Sequence, residues 1–244
     1  MRYVLMNSGM PVEAEFSREN VDDIFLPLLA RLGAIRREKG RRALALLAAP
    51  PGAGKSTLAA LLEQLSGDGP ERLTALGMDG FHYSQDYLIS HEAEIDGRAV
   101  SLASVKGAPR TFDLDALTAA LARVAAGEAC GWPAYSRTLH DPVPDARTVT
   151  GEIVLVEGNY LLLDEPGWRE LRRYADLTVS VVADPALLRE RLLARHLAVG
   201  RSREAAEAFV DRSDMANVRL CLERTLPADL RLRLEPDGTF TKLL

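Results

Sequence analysis

Apolar residues follow two alternating patterns along this chain. Short apolar runs fit strands, and longer segments with apolar residues three and four positions apart fit helices. Strands are predicted at residues 42–49, 72–78, 153–156, 177–182 and 230–234. Helices are predicted at 17–40, 58–65 and 113–127, from residue 185 onward, and at 201–222. Because strands alternate with helices, we expect right-handed crossovers and a three-layer α/β/α domain with a mainly parallel five-stranded sheet.

Details of these runs place the strands within the sheet. The run 153–156 is continuously apolar, which is typical of a parallel strand buried on both faces. Residues 230–234 alternate strictly between leucine and arginine, so we expect that strand at an edge. Residues 132–142 contain too many prolines for a central strand.

Three segments are predicted as additions to a single domain that spans residues 1–244. Residues 1–40 precede the first sheet strand and form an N-terminal helical extension, with Ser17 as its cap and a bend or break at Pro27. Residues 84–112 lack periodicity, and a connection this long is more often a functional flap. Residues 186–220 are assigned to a helical lid and the helices after it.

A glycine-rich loop lies between the first predicted sheet strand and its helix. The order strand, loop, helix is the context that the phosphate-binding pattern G-x-x-x-x-G-K-[ST] requires. Ala49 replaces the first glycine, which we expect to be tolerated because backbone approaches phosphate most closely at Gly52 and Gly54. Lys55 is expected to reach the β- and γ-phosphates of ATP and Ser56 to bind Mg²⁺. The predicted ATP-binding residues of the loop are Pro51, Gly52, Ala53, Gly54, Lys55, Ser56 and Thr57.

Two acidic residues follow predicted strands at the edge where ligands bind in parallel sheets. Glu157 comes after four buried aliphatic residues, and an unpaired buried carboxylate is costly, so we predict that it orients Mg²⁺. Asp79 follows the neighbouring strand and is predicted to accept the proton of the acceptor hydroxyl. A solvated acid at a strand end and a turn aspartate before glycine are the structural alternatives.

Arg191 and Arg195 lie four residues apart on the helix after Pro185 and therefore share a face. Arg191 is predicted to bind ATP. Arg195 falls within the stripe of Leu188, Leu192 and Val199, and it is predicted as a catalytic lid arginine that neutralises charge during transfer. The alternative is an arginine stem lying along apolar surface with its head in water.

Polar residues of the flap and of the proline-rich excursion are candidates for binding the phosphate acceptor. Any single one of them could instead have a structural role. The predicted acceptor-binding residues are Tyr83, Lys106, Arg110, Tyr135, Arg137 and His140, with His82 beside them.

Composition narrows the class of protein. The 244 residues are 47% hydrophobic and 27% charged, as is ordinary for a soluble globular protein. The formal net charge of −5 argues against a nucleic-acid partner. Two isolated cysteines and the lack of a membrane-length apolar segment favour the cytoplasm.

The motifs together resemble the phosphoribulokinase, uridine kinase and type I pantothenate kinase superfamily, from about residue 43 to 220. The resemblance rests on Met-Asp-Gly-Phe at 78–81, Lys-Gly-Ala-Pro at 106–109, Thr-Phe-Asp at 111–113, Tyr-Ser at 135–136 with Asp141, Pro144 and Asp145, and Val-Glu-Gly-Asn-Tyr-Leu at 156–161. It is strongest to pantothenate kinase and to bacterial nucleoside or sugar kinases of the fructose-transport type. It implies the P-loop NTPase fold and the roles given above for Lys55, Ser56, Asp79, Glu157 and the two lid arginines. Relatives in this fold are often dimers, which suggests a homodimer by analogy.

Two departures from the pantothenate kinase pattern concern the phosphate acceptor. Pantothenate kinases carry a histidine where this chain has Arg137, and their distal pantothenate-binding segment has no clear counterpart, so pantothenate is not the expected acceptor. Arg137 and Lys106 would suit an anionic acceptor. We therefore predict a Mg²⁺-dependent kinase that phosphorylates a sugar or nucleoside-like metabolite. An ATP-dependent switch or slow ATPase is the competing class, and the preference for ATP over GTP stays open.

Overall fold

The structure is a computed structural model, and it describes residues 1–7, 10–69, 71–95, 97–136 and 138–243. The strands are β1 (Arg2–Asn7), β2 (Met10–Glu15), β3 (Ala43–Ala48), β4 (Leu73–Gly77), β5 (Glu92–Ile95), β6 (Arg98–Ser101), β7 (Cys130–Ser136), β8 (Asp141–Val149), β9 (Ile153–Gly158), β10 (Leu177–Ala183), β11 (Leu230–Leu234) and β12 (Phe240–Leu243). The α-helices are α1 (Arg18–Asn20), α2 (Leu26–Lys39), α3 (Lys55–Leu65), α4 (Gln85–Ser90), α5 (Leu114–Ala125), α6 (Pro185–Ala198), α7 (Arg203–Phe209) and α8 (Met215–Arg224).

Short helical turns connect several of these elements. Turns of π-helix cover Val21–Phe25 and Val210–Asp214. Turns of 3₁₀-helix cover Met78–Phe81, Leu102–Val105, Pro109–Thr111 and Arg169–Tyr174.

The central sheet has the strand order β12-β11-β10-β3-β9-β4. The five strands from β11 to β4 are parallel, as the sequence predicts. Within the described ranges the sheet nevertheless has six strands, because β12 pairs antiparallel with β11. The prediction that residues 230–234 form an edge is therefore wrong. The Asp-Gly turn at 237–238, with Gly238 at a φ of 86°, closes this hairpin and could have indicated it.

The two faces of the sheet carry separate apolar cores, which gives the expected three layers. Side chains alternate along each strand, so Ala45 and Leu47 of β3 pack toward α2, α3 and α6, while Leu44 and Leu46 pack toward α5. Both sets are fully buried. This burial on both faces explains the continuous apolar runs that predicted the strands.

The N-terminal extension is helical only from Arg18 onward, because residues 2–7 and 10–15 pair as the antiparallel strands β1 and β2. Ser17 caps the helical part by accepting a 3.0 Å hydrogen bond from the backbone N–H of Asn20. Pro27 lies two residues after the end of the π turn, in the first turn of α2. Phe25 joins the extension to the sheet through an edge-to-face contact with Phe240 of β12.

The proline-rich excursion forms the separate hairpin β7–β8 outside the central sheet, as its prolines predict. No helix within the described ranges is long and apolar enough to cross a membrane.

Candidate active site

The phosphate loop leaves the central strand β3 and enters α3. Gly52 and Gly54 have φ values of 83° and 80°, in the left-handed region that favours glycine. A Cβ at Gly52 would also lie 3.1 Å from Cγ of Leu192 on α6, so the loop packs closely against this helix. The loop closes on itself through a 3.2 Å hydrogen bond from Ala53 N–H to the carbonyl of Pro50. Ala49 is 3% exposed and fits where the motif has glycine.

The arrangement at the start of α3 fits ATP and Mg²⁺. Lys55, Ser56 and Thr57 form the first turn of this helix, whose N-terminal N–H groups favour an anion. The Ser56 hydroxyl donates a 2.8 Å hydrogen bond to Glu157 Oε1. Hydroxyl and carboxylate oxygens are the ligands that Mg²⁺ prefers, completed by water and phosphate. Within the described ranges, no group of three or more His, Cys, Asp or Glu side chains is placed to hold a metal ion.

Glu157 owes its position to the order of the strands. It pairs in register with Leu47 of β3 and with Gly77 of β4, so it lies beside the phosphate loop at the carboxyl edge. The residue is 8% exposed. A Cβ at Gly77 would lie 3.1 Å from its Oε1, so glycine leaves room for the carboxylate.

Asp79 lies in the 3₁₀ turn that follows β4, and its side chain is exposed. It lines a cavity of about 140 Å³ together with Ser56, Glu157 and Tyr135. A Cβ at the next residue, Gly80, would overlap the backbone of Pro133 in β7. The hairpin β7–β8 therefore packs directly on the turn that carries Asp79. The structure thus brings the predicted base and the predicted metal-binding pair to one cavity.

His82 lies just beyond Asp79 in a packed aromatic setting. Its ring stacks on Phe112 at 3.8 Å between centroids, and its Nδ1 lies 3.2 Å from the carbonyl of Thr111. Burial lowers the pKa of His82, while the negative charge of Asp79 opposes this shift. The lowered pKa favours the neutral imidazole, so His82 adds little positive charge beside Asp79.

The flap residues fall into separate groups. Lys106 donates hydrogen bonds to Gln85 Oε1 at 2.8 Å and to the carbonyl of His140 at 3.1 Å, and its ammonium lies 5.0 Å from the ring centroid of Tyr135. Lys106, Tyr135 and the backbone of His140 therefore meet beside the cavity. The His140 side chain itself is exposed.

The other predicted acceptor residues lie elsewhere. Tyr83 stacks on Tyr87 at 4.2 Å, and its pKa is raised, chiefly by burial. Arg110 donates a 3.0 Å hydrogen bond to the carbonyl of Glu94 and lines a different cavity. Arg137 lies outside the described residues.

The two lid arginines have different surroundings. Arg191 donates a 3.4 Å hydrogen bond to the carbonyl of Gly52 in the phosphate loop. The guanidinium of Arg195 instead lies 3.9 Å from the carboxylate of Asp214. That carboxylate forms a closer hydrogen bond, of 2.7 Å, with Nε2 of His196. The sequence predicted that Arg195 and Val199 lie in the apolar stripe of this helix. The buried residues of α6 are instead Leu188, Leu192 and His196, and Val199 is 73% exposed. The described contacts thus join Arg191, and not Arg195, to the loop.

Several residues that line the cavity at Asp79 were not predicted from the sequence. Arg147 of β8 donates hydrogen bonds to the carbonyl of Ala75 at 2.6 Å and to Glu63 Oε1 at 2.9 Å, and both charged side chains line the cavity. Trp132 donates a 2.9 Å hydrogen bond to the carbonyl of Gly77 at the end of β4. No local motif marks these residues, because their roles arise from the docking of β7–β8 against the sheet.

A phosphate loop on a parallel sheet, with acids at two neighbouring strand ends, defines the class of P-loop kinases. The family model of the phosphoribulokinase / uridine kinase family matches residues 45–231. The chain belongs to this family.

Individual proteins agree with this assignment. An uncharacterised protein of Escherichia coli K12, YggC, is 39% identical over 243 residues, which cover 98% of each chain. A candidate uridine kinase of Schizosaccharomyces pombe is 32% identical over 79% of this chain and 83% of its own. The crystal structure of a candidate fructose transport system kinase from Silicibacter is 32% identical, with a TM-score of 0.71 over 83% of this chain and 98% of that one.

Proposed function

We propose that this kinase transfers the γ-phosphoryl group of ATP, with Mg²⁺, to a hydroxyl of a small metabolite of the sugar or nucleoside type. The observation that supports this most strongly is the shared cavity of Asp79, Ser56 and Glu157. An acceptor hydroxyl bound near Asp79 would point toward the phosphate loop. It would lie on the same side as Ser56 and Glu157, the pair proposed to bind the metal.

The phosphate loop and α6 would hold the nucleotide. Backbone N–H groups around Gly52 and Gly54 and the side chain of Lys55 bind the phosphates. Arg191 adds a positive charge at the loop. When bound, MgATP supplies the phosphoryl group, and the metal neutralises charge on the phosphate oxygens.

Asp79 would act as the base. Its carboxylate accepts the proton of the acceptor hydroxyl as the oxygen bonds to the γ-phosphorus and the bond to the ADP oxygen breaks. Asp79 is exposed to the cavity and is free to reach a bound hydroxyl. Most of the rate enhancement would come from positioning and charge, as is general for phosphoryl transfer.

Lys106 and Tyr135 mark where the rest of the acceptor would lie. Lys106 already has two oxygen partners, so a ligand carboxylate or phosphate would replace Gln85 or the carbonyl of His140. This favours a polar acceptor and supports an anionic one. We also propose that the protein is cytoplasmic and forms a homodimer. Light scattering on the purified protein tests the dimer.

The test is a screen of sugars, sugar phosphates, nucleosides and pantothenate with ATP and Mg²⁺, in which ³¹P NMR detects the phosphorylated product. We expect one class of acceptor to yield a phosphate monoester in equal amount to ADP. ADP formed without any acceptor product across the panel would contradict a kinase with a metabolite acceptor and favour a slow ATPase or switch.

A further inference from the structure

Within the residues that the structure describes, β4 is the last strand at one end of the central sheet, so one of its edges has no neighbouring strand. Backbone N–H and C=O groups on such an edge need other partners wherever water is excluded. The strand leads directly into the turn that carries Asp79. The groups that hold this edge therefore also hold the proposed base.

Helix α3 and its cap supply acceptors for the N–H groups of this edge. The N–H of Ala75 donates a 3.4 Å hydrogen bond to Oε1 of Glu63, which lies in the last turn of the helix. The N–H of Leu73 donates a 3.0 Å hydrogen bond to Oγ of Ser66, the residue at the C-cap. The helix thus covers part of the edge that a further strand would occupy.

The hairpin β7–β8 supplies donors for the carbonyl groups of the same strand. The carbonyl of Ala75 accepts a 2.6 Å hydrogen bond from Arg147, and that of Gly77 accepts a 2.9 Å hydrogen bond from Nε1 of Trp132. Trp132 is 1% exposed and packs edge-to-face on Phe81, in the turn that follows β4. Side chains of the hairpin therefore take the place of a neighbouring strand up to the end of β4.

Arg147 joins the hairpin both to β4 and to α3. Its guanidinium contacts the carbonyl of Ala75 and also donates a 2.9 Å hydrogen bond to Glu63 Oε1. The Glu63 side chain is 19% exposed and that of Arg147 is 45% exposed, so salt screens this ion pair less than a fully exposed one. Helix α3 carries Ser56 in its first turn, and β4 leads to Asp79. The contacts of Arg147 therefore connect the two sides of the candidate site.

We propose that Arg147 is a positioning residue for Asp79. It holds β4 against α3 through Ala75 and Glu63, and so keeps the carboxylate of Asp79 at a fixed distance from the phosphate loop. Arg147 itself takes no part in proton or phosphoryl transfer. This inference rests on the proposed role of Asp79 as the base. Because Arg147 also lines the cavity at Asp79, the kinetics must separate this role from a direct contact with the acceptor.

Hydrogen exchange of Arg147→Gln tests the hold on β4 without any catalysis. The backbone amides of residues 73–81 should exchange at least about tenfold faster than in the wild type, while those of β10 keep their wild-type rates. Arg41→Gln is the matched control, since Arg41 is 47% exposed and forms a 2.7 Å ion pair with the shielded carboxylate of Asp176, away from β4. It should leave residues 73–81 unchanged. Equal exchange of these residues in the wild type and in Arg147→Gln would overturn the proposal.

A double-mutant cycle with Asp79→Asn tests the effect on catalysis, with an acceptor found by the screen. Arg147→Gln should lower kcat by about tenfold or more, because a small displacement of a catalytic group is costly. The KM of the acceptor should change by less than about twofold. In the Asp79→Asn background the same substitution should lower kcat no further, since Arg147 acts only through that carboxylate. Losses that multiply in the double variant, or a raised KM of the acceptor with unchanged kcat, would contradict the positioning role.

Two further points keep the test decisive. Arg147 is half exposed, so Arg147→Gln is expected to fold, and its melting temperature checks this. Glu63→Ala removes the other member of the ion pair, places a strong helix former on α3 and should give the same two results. If Asp79→Asn is impaired while Arg147→Gln behaves as the wild type, only the positioning role fails. Full activity of Asp79→Asn would instead count against the proposed base itself.

Discussion

The Ser56 hydroxyl donates a 2.8 Å hydrogen bond to Glu157, which joins the first turn of α3 to the sheet strand β9. The phosphate loop that carries Ser56 follows β3, and Glu157 lies near the end of β9 beside it. Because strand order fixes this contact, the pair that we propose to bind Mg²⁺ is positioned before any ligand binds. This preorganisation would lower the cost of holding Mg²⁺ in the required geometry.

Glu157→Gln tests this pair. The amide keeps the size of the side chain but removes the charge, so we expect the Mg²⁺ concentration at half-maximal activity to rise by about tenfold or more. Magnesium titration of acceptor-dependent ADP formation measures it. Glu152→Gln is the control, since Glu152 pairs with Arg36 at the other end of the sheet. An unchanged magnesium requirement in Glu157→Gln would contradict the assigned role.

The close packing under Asp79 leads to a second prediction. Gly80→Ala places a methyl group against the backbone of Pro133, which must shift, and we expect a loss of about 1–3 kcal/mol in the free energy of unfolding. Urea denaturation measures the loss. Gly69→Ala should change this energy by less than about 0.5 kcal/mol, because no described atom lies within 4 Å of its added Cβ. Equal stability of the two variants would show that the turn at Asp79 is not tightly packed.

The lid arginines should differ in their effect on catalysis. Arg191 contacts the phosphate loop, so Arg191→Gln should reduce kcat by roughly 10²–10³. Arg195 lies near Asp214, and Arg195→Gln should reduce kcat less. Steady-state kinetics of the two variants give the comparison. A larger loss in Arg195→Gln would support the role that the sequence predicted for Arg195 and imply that α6 rearranges when ATP binds.

His82 should make the stability of the protein depend on pH. Its pKa in the folded protein is lowered from 6.5, chiefly by burial, so the unfolded chain binds the proton more readily. The free energy of unfolding therefore falls as pH drops through about 6.5, and the penalty is complete below the lowered folded pKa.

Urea denaturation at about pH 7.5 and pH 5.5 checks this sign. The decrease should be smaller in His82→Gln than in the wild type. The variant His91→Gln, whose imidazole is exposed, should keep the wild-type decrease. A decrease that is unchanged in His82→Gln would contradict the buried, neutral imidazole.

The sequence predicted the parts of the fold that follow local rules. Apolar runs identified four of the five parallel strands, and the alternation of leucine and arginine identified β11. The loop between Ala49 and Thr57 was identified from its glycines and their flanking elements. Asp79 and Glu157 could be placed because the ends of parallel strands meet at one edge. These inferences needed only the order of strands and helices.

Other features depend on long-range packing that local patterns do not encode. The hairpin β1–β2 buries Leu5 but leaves Val4 59% exposed, so its short strands give little apolar signal. The apolar stripe of α6 includes His196 because Asp214, 18 residues away, accepts its hydrogen bond. Arg147 reaches the candidate site only because β7–β8 docks beside β4.

Asp79→Asn is the most direct test of the central claim, that this carboxylate accepts the proton of a hydroxyl positioned beside the metal-binding pair. With an acceptor found by the screen, kcat should fall by roughly 10²–10⁴, while the Kd of MgATP changes less than about twofold. Stopped-flow kinetics and isothermal titration on the same preparation give the two values. Turnover that survives the substitution unchanged would remove Asp79 from the mechanism and contradict the account of this site.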